Sequence, residues 1–291
     1  MFTLTITNRK GGTAKTTTAV NLAAEFARQG KRCLLMDLDP QGHAGIGLGF
    51  TPLQKNARPQ SLFVNGRQSL MKLLHKTAVD NLFYIPPGNH DDQQIKAERF
   101  TAFLNRKQLH QHFDIVVLDT PPFDGIEQQA ALAAADGVLI PFMPTPLGKA
   151  GVQDITSDID DLNQARQKRL QYGLVPIMLD SRIRLDNQIL SDLIGLHGME
   201  RILRSVRRNV KLAEAFDAGK PVHHYDKNCR GAFDYHMLSE DLATLWPGLY
   251  PRQNSLSFKK PVLASLEQTA GIPDKSHRGI RLKETCINWD G

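Results

Sequence analysis

The chain has 291 residues, of which 41% are hydrophobic and 23% charged, proportions ordinary for a soluble globular protein. Its length holds one large α/β domain with a short appendage, not two full domains. A net charge of +6 and a pI near 9.2 favour a polyanionic partner. No apolar run is long enough to span a bilayer, and residues 1–7 read as a strand, not a leader peptide, so a cytoplasmic location is expected.

In chain order, apolar runs predict strands at 2–7, 33–38, 82–85, 113–118, 137–142 and 173–179, with a weaker one near 201–206. Helical stretches alternate with them at 15–29, about 92–110, 126–135, 150–168, 186–197 and 231–246. Continuous Val/Ile/Leu strands imply burial on both faces, hence a mostly parallel sheet covered by helices on either side. After Trp246 the composition turns to proline, glycine and polar residues, so the predicted domain is 1–246 with a C-terminal extension over 247–291. In that extension Phe258, Val262, Leu263 and Leu266 are expected to dock, and the basic remainder to stay loose. Cys33, Cys229 and Cys286 lack metal-ligand spacing and read as one core residue and two free thiols.

The first strand runs into NRKGGTAKTTTAVNLAAEFARQG. The ordinary phosphate-loop pattern G-x-x-x-x-G-K-[ST] fails here, because Arg9 and Ala14 stand where its glycines should be. The physical requirements are nevertheless met. A strand delivers a turn, Gly11 and Gly12 allow close backbone approach, and an amphipathic helix points its positive end at the turn. Lys15 and Thr16 open that helix, where a lysine meets phosphate and a hydroxyl meets Mg²⁺. Three further strands end in carboxylates: Asp37 and Asp39 in CLLMDLDPQG, Asp119 in FDIVVLDTPP and Asp180 in GLVPIMLDSR. In such sheets ligands bind beyond the carboxyl ends of the strands.

These runs, with ADGVLIPFMPTPLGKAGV and RSVRRNVKLAEAFDAGKPVHHYDKNCRGAFDY, resemble the deviant-Walker P-loop ATPases of the ParA/MinD type, the ParA branch in particular. That group's loop, K-G-G-x-x-K-[ST], is satisfied by residues 10–16, and the likeness covers about residues 2–245. The resemblance implies a P-loop NTPase fold of the α/β class, with ATP and Mg²⁺ as cofactors. The nucleotide-binding set would be Lys10, Gly11, Gly12, Thr13, Ala14, Lys15, Thr16 and Thr17. Lys15 and the loop amides would hold the β- and γ-phosphates, with Thr16 on Mg²⁺ and Asp119 supporting the metal through water. Lys10 would be the signature lysine that reaches the phosphates of the partner subunit in an ATP-bound homodimer, and Asp39 would position the attacking water. Lys10, Lys15 and Asp39 are thus the expected catalytic residues. Two departures stand out: Ala14 adds a methyl where glycine is common, and Thr13 is polar where valine is frequent.

Other motifs read as structural. The glycines from Gly45 to Gly49 read as a flexible switch-region loop, His223 and His224 as loop histidines with no shared metal, and Asp158, Asp160 and Asp161 as a solvated helix face. Asp180, Ser181 and Arg182 lie either near a nucleotide base or in a structural pairing. The segment RILRSVRRNVK, residues 201–211, has five basic residues and no acidic one. With Lys220, Lys227 and Arg230 it predicts a basic face that binds DNA without sequence preference, carried by Arg204, Arg207, Arg208, Lys211 and Arg230. The first strand starts at residue 2, so no helix-turn-helix domain precedes it and operator recognition is not expected. The resemblance implies a slow, partner-stimulated ATPase on the nucleoid whose dimer is stimulated by a cargo-bound adaptor of the ParB type. Its cargo would be a plasmid, a chromosome or a protein assembly. The principal alternative is a DNA-binding accessory factor for conjugative transfer. A MinD-like membrane switch would need an amphipathic C-terminal helix, and residues 262–270 are too short and weakly apolar, so stable membrane association is not expected. An iron–sulfur reductase would need differently placed cysteines, and a bacterial tyrosine kinase a terminal tyrosine cluster.

Overall fold

The computed structural model describes residues 1–51, 70–88 and 97–250, all within a compact unit spanning Met1–Leu256. The expectations for the C-terminal extension beyond Tyr250 therefore lie outside the described residues. Seven strands, β1 (Phe2–Ile6), β2 (Cys33–Asp37), β3 (His75–Lys76), β4 (Leu82–Ile85), β5 (Ile115–Asp119), β6 (Gly137–Phe142) and β7 (Gln171–Pro176), form one sheet. Their order is β3-β4-β2-β5-β1-β6-β7. Among these strands only β3 runs antiparallel, against β4. Every residue of β1, β2 and β5 is buried, as continuous apolar runs require when both faces are covered.

Alternation along the strands divides the core in two. Leu4, Leu35, Val117 and Leu139 pack with α1 (Lys15–Arg28) and α11 (Arg230–Leu245). Val138, Ile140, Phe142 and Leu174 pack on the other face with α7 (Pro146–Ala165) and α8 (Arg184–His197). The first core continues past Trp246: Leu249 is fully buried and the Tyr250 ring meets Phe26 edge-on at 6.1 Å. No described helix is long and apolar enough to cross a membrane.

Several predicted boundaries move for identifiable reasons. The helix expected over about 92–110 is described as α4 (Ala97–Leu104) and α5 (Lys107–His112), separated where Arg106 adopts extended backbone at φ −64°, ψ 132°. The helix expected from 150 starts at Pro146. Thr145 accepts a hydrogen bond from the Gly148 N–H and proline takes the first turn, where its missing N–H costs nothing. The strand expected over 173–179 ends at Pro176, and Met178 turns the chain at φ 58°. Near 201–206 only two isolated bridges form, Leu174 to Ile202 and Ile177 to Val206.

The reading of residues 45–49 as a flexible loop is corrected. Residues His43–Gly47 form a short helix, α2, in which Ala44, Gly45 and Gly47 are buried. A Cβ on Gly45 would lie 2.8 Å from the Tyr84 hydroxyl, and one on Gly47 would lie 2.8 Å from the Phe216 ring. The glycines are there for close packing. Phe216 belongs to α9 (Val210–Asp217), a helix with no strong sequence signal that follows the basic segment. The remaining described α-helices are α3 (Leu70–Leu73), α6 (Ile126–Ala134) and α10 (Val222–Tyr225).

Candidate functional site

Residues 7–14 connect the carboxyl end of β1 to the first turn of α1, so the loop sits at the edge where β2 and β5 also end. Asn8, fully buried, holds it from below: its amide donates to the Pro141 carbonyl at 2.9 Å and its Oδ1 accepts the Lys10 N–H at 2.9 Å. Gly11 and Gly12 are exposed, and a Cβ on either would meet nothing within 4 Å. The mouth of the loop is open.

Lys15 is buried, and its Nζ donates to the Lys10 carbonyl at 3.0 Å. Thr13 Oγ1 donates to the same carbonyl at 3.2 Å. Burial lowers the Lys15 pKa, while the charges of Asp119 and Asp39 oppose that shift. Lys15, Asp39 and Asp119 therefore lie within electrostatic reach of one another. Asp119, the last residue of β5, is wholly buried, and burial pushes its carboxyl up to about 7 against the opposing influence of the Thr16 hydroxyl. Thr16 stands beside it, yet neither Asp119 oxygen has a hydrogen-bond partner of good geometry. A buried carboxylate with two unmatched oxygens next to a helix-start threonine fits a magnesium site.

Asp37 ends β2 and is also buried. Its Oδ1 accepts the Asp39 N–H at 3.0 Å, and its Oδ2 accepts the Ala44 N–H at 3.1 Å and the Tyr84 hydroxyl at 3.3 Å. Burial, then the neighbouring charges of Asp119 and Asp39, raise its pKa well above the usual carboxylate range. Asp39 accepts the Gln41 N–H at 2.9 Å, which closes a turn at the start of the segment leading into α2.

Three residues that sequence reasoning did not single out complete the loop's support. Arg9 pairs with Asp158 at 2.7 Å and Asp124 at 3.1 Å, which removes Asp158 from the solvated face predicted for it while Asp160 and Asp161 stay exposed. Gly151 lets α7 lie directly on the loop: a Cβ there would be 2.6 Å from Asn8 Oδ1 and 2.9 Å from Lys10 Cγ. Gly148 is equally confined, since its Cβ would fall 2.0 Å from the Met143 carbonyl oxygen. The only sequence signal was a Gly-x-x-Gly spacing just after a Thr-Pro helix start.

A family model described as "AAA domain" (AAA_31) matches residues 1–172. The chromosome partitioning protein ParA of Myxococcus xanthus is 33% identical over 249 residues, covering 81% of this chain and 86% of that protein. The chain belongs to the ParA-type P-loop ATPases. Among solved structures, the apo form of Cyanothece McdA superposes with a TM-score of 0.71 at 21% identity, covering 83% of this chain and 99% of that one. Cobyrinic acid a,c-diamide synthase of Mycobacterium smegmatis, solved with ADP and magnesium, superposes with a TM-score of 0.67 at 25% identity, covering 85% and 96%.

Away from its loop, this ParA-type chain has a cleft of about 620 Å³ at the ends of β6 and β7, lined by Met143, Thr145, Met178, Asp180, Arg182 and Arg208 among others. Asp180 and Arg182 pair with each other at 2.7 Å on its rim. The basic segment divides by partner. Arg204 pairs with Asp241 at 3.0 Å, Arg207 forms a fork with the buried Asp234, and Lys211 pairs with Glu214 at 2.7 Å. Arg208 and Arg230 are exposed and form no ion pair with any described residue.

Proposed function

We propose that this protein is an ATP-dependent dimerising switch that binds DNA without sequence preference and positions or partitions a cargo on the nucleoid. The observation that carries the reading is the convergence of Lys15, Asp39 and the unmatched Asp119 carboxylate beneath an open loop that also bears Lys10. Chromosome partitioning is the role that the Myxococcus ParA is named for, which supports a partitioning role here.

In this reading Lys15 and the amides of Gly11, Gly12, Thr13, Ala14, Thr16 and Thr17 hold the phosphates of ATP. Mg²⁺ is held by Thr16 and, through water, by Asp119. When bound, the ion neutralises charge on the phosphate oxygens. Lys15 releases the Lys10 carbonyl to meet the phosphates, and Asp39 holds the attacking water. Lys10 reaches the nucleotide of a second copy, so turnover depends on dimerisation. Positioning and charge neutralisation are what phosphoryl transfer demands of a protein. The cleft at the ends of β6 and β7 lies on the same sheet edge and accommodates the base. Hydrolysis is slow alone and stimulated by an adaptor of the ParB type bound to the cargo, and it releases the dimer from DNA.

Sedimentation and nucleotide binding test this. Lys15→Ala is expected to abolish ATP binding. Lys10→Ala should keep monomer nucleotide binding but lose ATP-dependent dimerisation and turnover, and Asp39→Ala should accumulate ATP-bound dimers. A Lys10→Ala protein that dimerises and hydrolyses normally refutes the reading.

A further inference from the structure

Tyr84 lies on β4, separated by β2 and β5 from the strand that delivers the loop, and carries no nucleotide-binding expectation. Its hydroxyl nevertheless reaches the buried Asp37 carboxylate at 3.3 Å. The same carboxylate accepts the N–H groups of Asp39 and Ala44. One oxygen thus fixes the backbone of the expected water-positioning aspartate, and the other fixes the first turn of α2. The Tyr84 ring clasps the far side of the same segment. It stacks on Phe50 at 5.1 Å with an interplanar angle of 24°, and it abuts Gly45 too closely to admit a side chain.

We propose that Tyr84 is a positioning residue for ATP hydrolysis, acting through Asp37 to hold the segment that carries Asp39. The proposal rests on the ATPase reading above. Asp37 is buried beside the carboxylates of Asp39 and Asp119, so its oxygens must be matched by hydrogen-bond partners to remain in place. Two are backbone amides of the segment to be held. The third, Tyr84, comes from the neighbouring strand β4 and fixes the orientation of the Asp37 side chain that holds that segment. Its phenol is held far above its ordinary pKa by burial and by the Asp37 charge, so it remains a donor at any working pH. Without it the Asp37 side chain keeps, beyond its own β2 backbone, only the two amides of the segment it is meant to fix. A small displacement of a water-positioning group is enough to slow a reaction that depends on alignment.

The test is steady-state ATP hydrolysis by the full chain with Mg²⁺, wild type beside Tyr84→Phe, which keeps the ring against Phe50 and Gly45 and deletes only the hydroxyl. The expected result is a kcat about tenfold lower, a KM for ATP within about twofold of wild type, and a melting temperature within about 2 °C. A second comparison isolates the route. Asp37→Asn should slow hydrolysis, and the double variant should be no slower than Asp37→Asn alone, because the two side chains act in series. Full multiplication of the two single effects, an unchanged kcat, or a kcat that falls only together with the melting temperature overturns the role of Tyr84 while leaving the ATPase reading standing. Absence of hydrolysis by the wild type overturns both.

Discussion

A methyl group at residue 14 sits on backbone that glycine adopts freely. Ala14 has φ 59° and ψ 29°, the left-handed region, and immediately precedes the first turn of α1 with no side-chain cap. For an L-residue with a Cβ this conformation costs about 1 kcal/mol, and more when the side chain is β-branched. The loop retains it because its neighbours are pinned: Asn8 and Thr13 bond the Lys10 peptide, and the Thr18 N–H donates to the Ala14 carbonyl at 2.9 Å. Ala14→Gly is therefore expected to raise the melting temperature by about 1–3 °C, the released strain outweighing the added unfolded-state entropy, and Ala14→Val to lower it. Thermal unfolding of the three proteins side by side decides the matter, and a stabilised valine variant would show the strain argument to be wrong. At this scale the lysines, Thr16 and the strand-end aspartates were legible, since their chemistry is carried by residue type and local spacing. Arg9 and Gly151 were not, because their meaning lies in partners far along the chain. Arg9 meets Asp158 at a separation of 149 residues.

Among elements, the alternating strands and long helices were readable because their periodicity is strong. Helix α2 was not, because its sequence HAGIG has the propensity of a loop and only tertiary packing makes it a helix. That packing joins two regions far apart in sequence. Gly47 and Gly49 of the α2 region meet Phe216 and Gly219 at the end of α9, with a Cβ on Gly219 falling 2.6 Å from the Gly49 Cα. The segment leaving Asp39 therefore rests on the helix that begins just after the basic residues Arg207 and Arg208. Gly47→Ala should force this seam apart, since its new methyl would lie 2.8 Å from the Phe216 ring and 3.2 Å from Val20. A reduction of about 1–3 kcal/mol in folding stability is expected, the usual cost of overpacking. Phe216→Leu in the same chain should restore part of it by yielding space beside the new methyl. Urea unfolding of the single and double variants checks both statements, and a double variant weaker than the sum of the singles would mean the strain lies elsewhere.

For the whole molecule, the net positive charge acquires a location only when each arginine's partner is known. Arg207 forms several hydrogen bonds to Asp234, which is buried, so its charge is largely committed to the fold. Arg204 and Lys211 are committed to Asp241 and Glu214. Arg208 and Arg230 remain exposed, flanking the starts of α9 and α11, where the helix ends add their own positive potential. Composition could suggest a basic face. It could not say which arginines are free, because the aspartates that neutralise the others come from α11. On the proposed reading, charge reversal at Arg208 and Arg230 together should weaken binding of the ATP-bound protein to random duplex DNA. It should also flatten the dependence of log K on log salt by about 0.9 for every phosphate no longer neutralised, with the melting temperature unchanged. Arg207→Ala should behave differently, costing about 2 kcal/mol of stability by stranding the Asp234 carboxylate. It should lower DNA affinity mainly as far as it loosens the fold. Salt titrations of binding, run alongside thermal unfolding of each variant, separate these outcomes. If reversing Arg208 and Arg230 leaves the salt slope intact, the DNA face must be sought on another surface of the molecule.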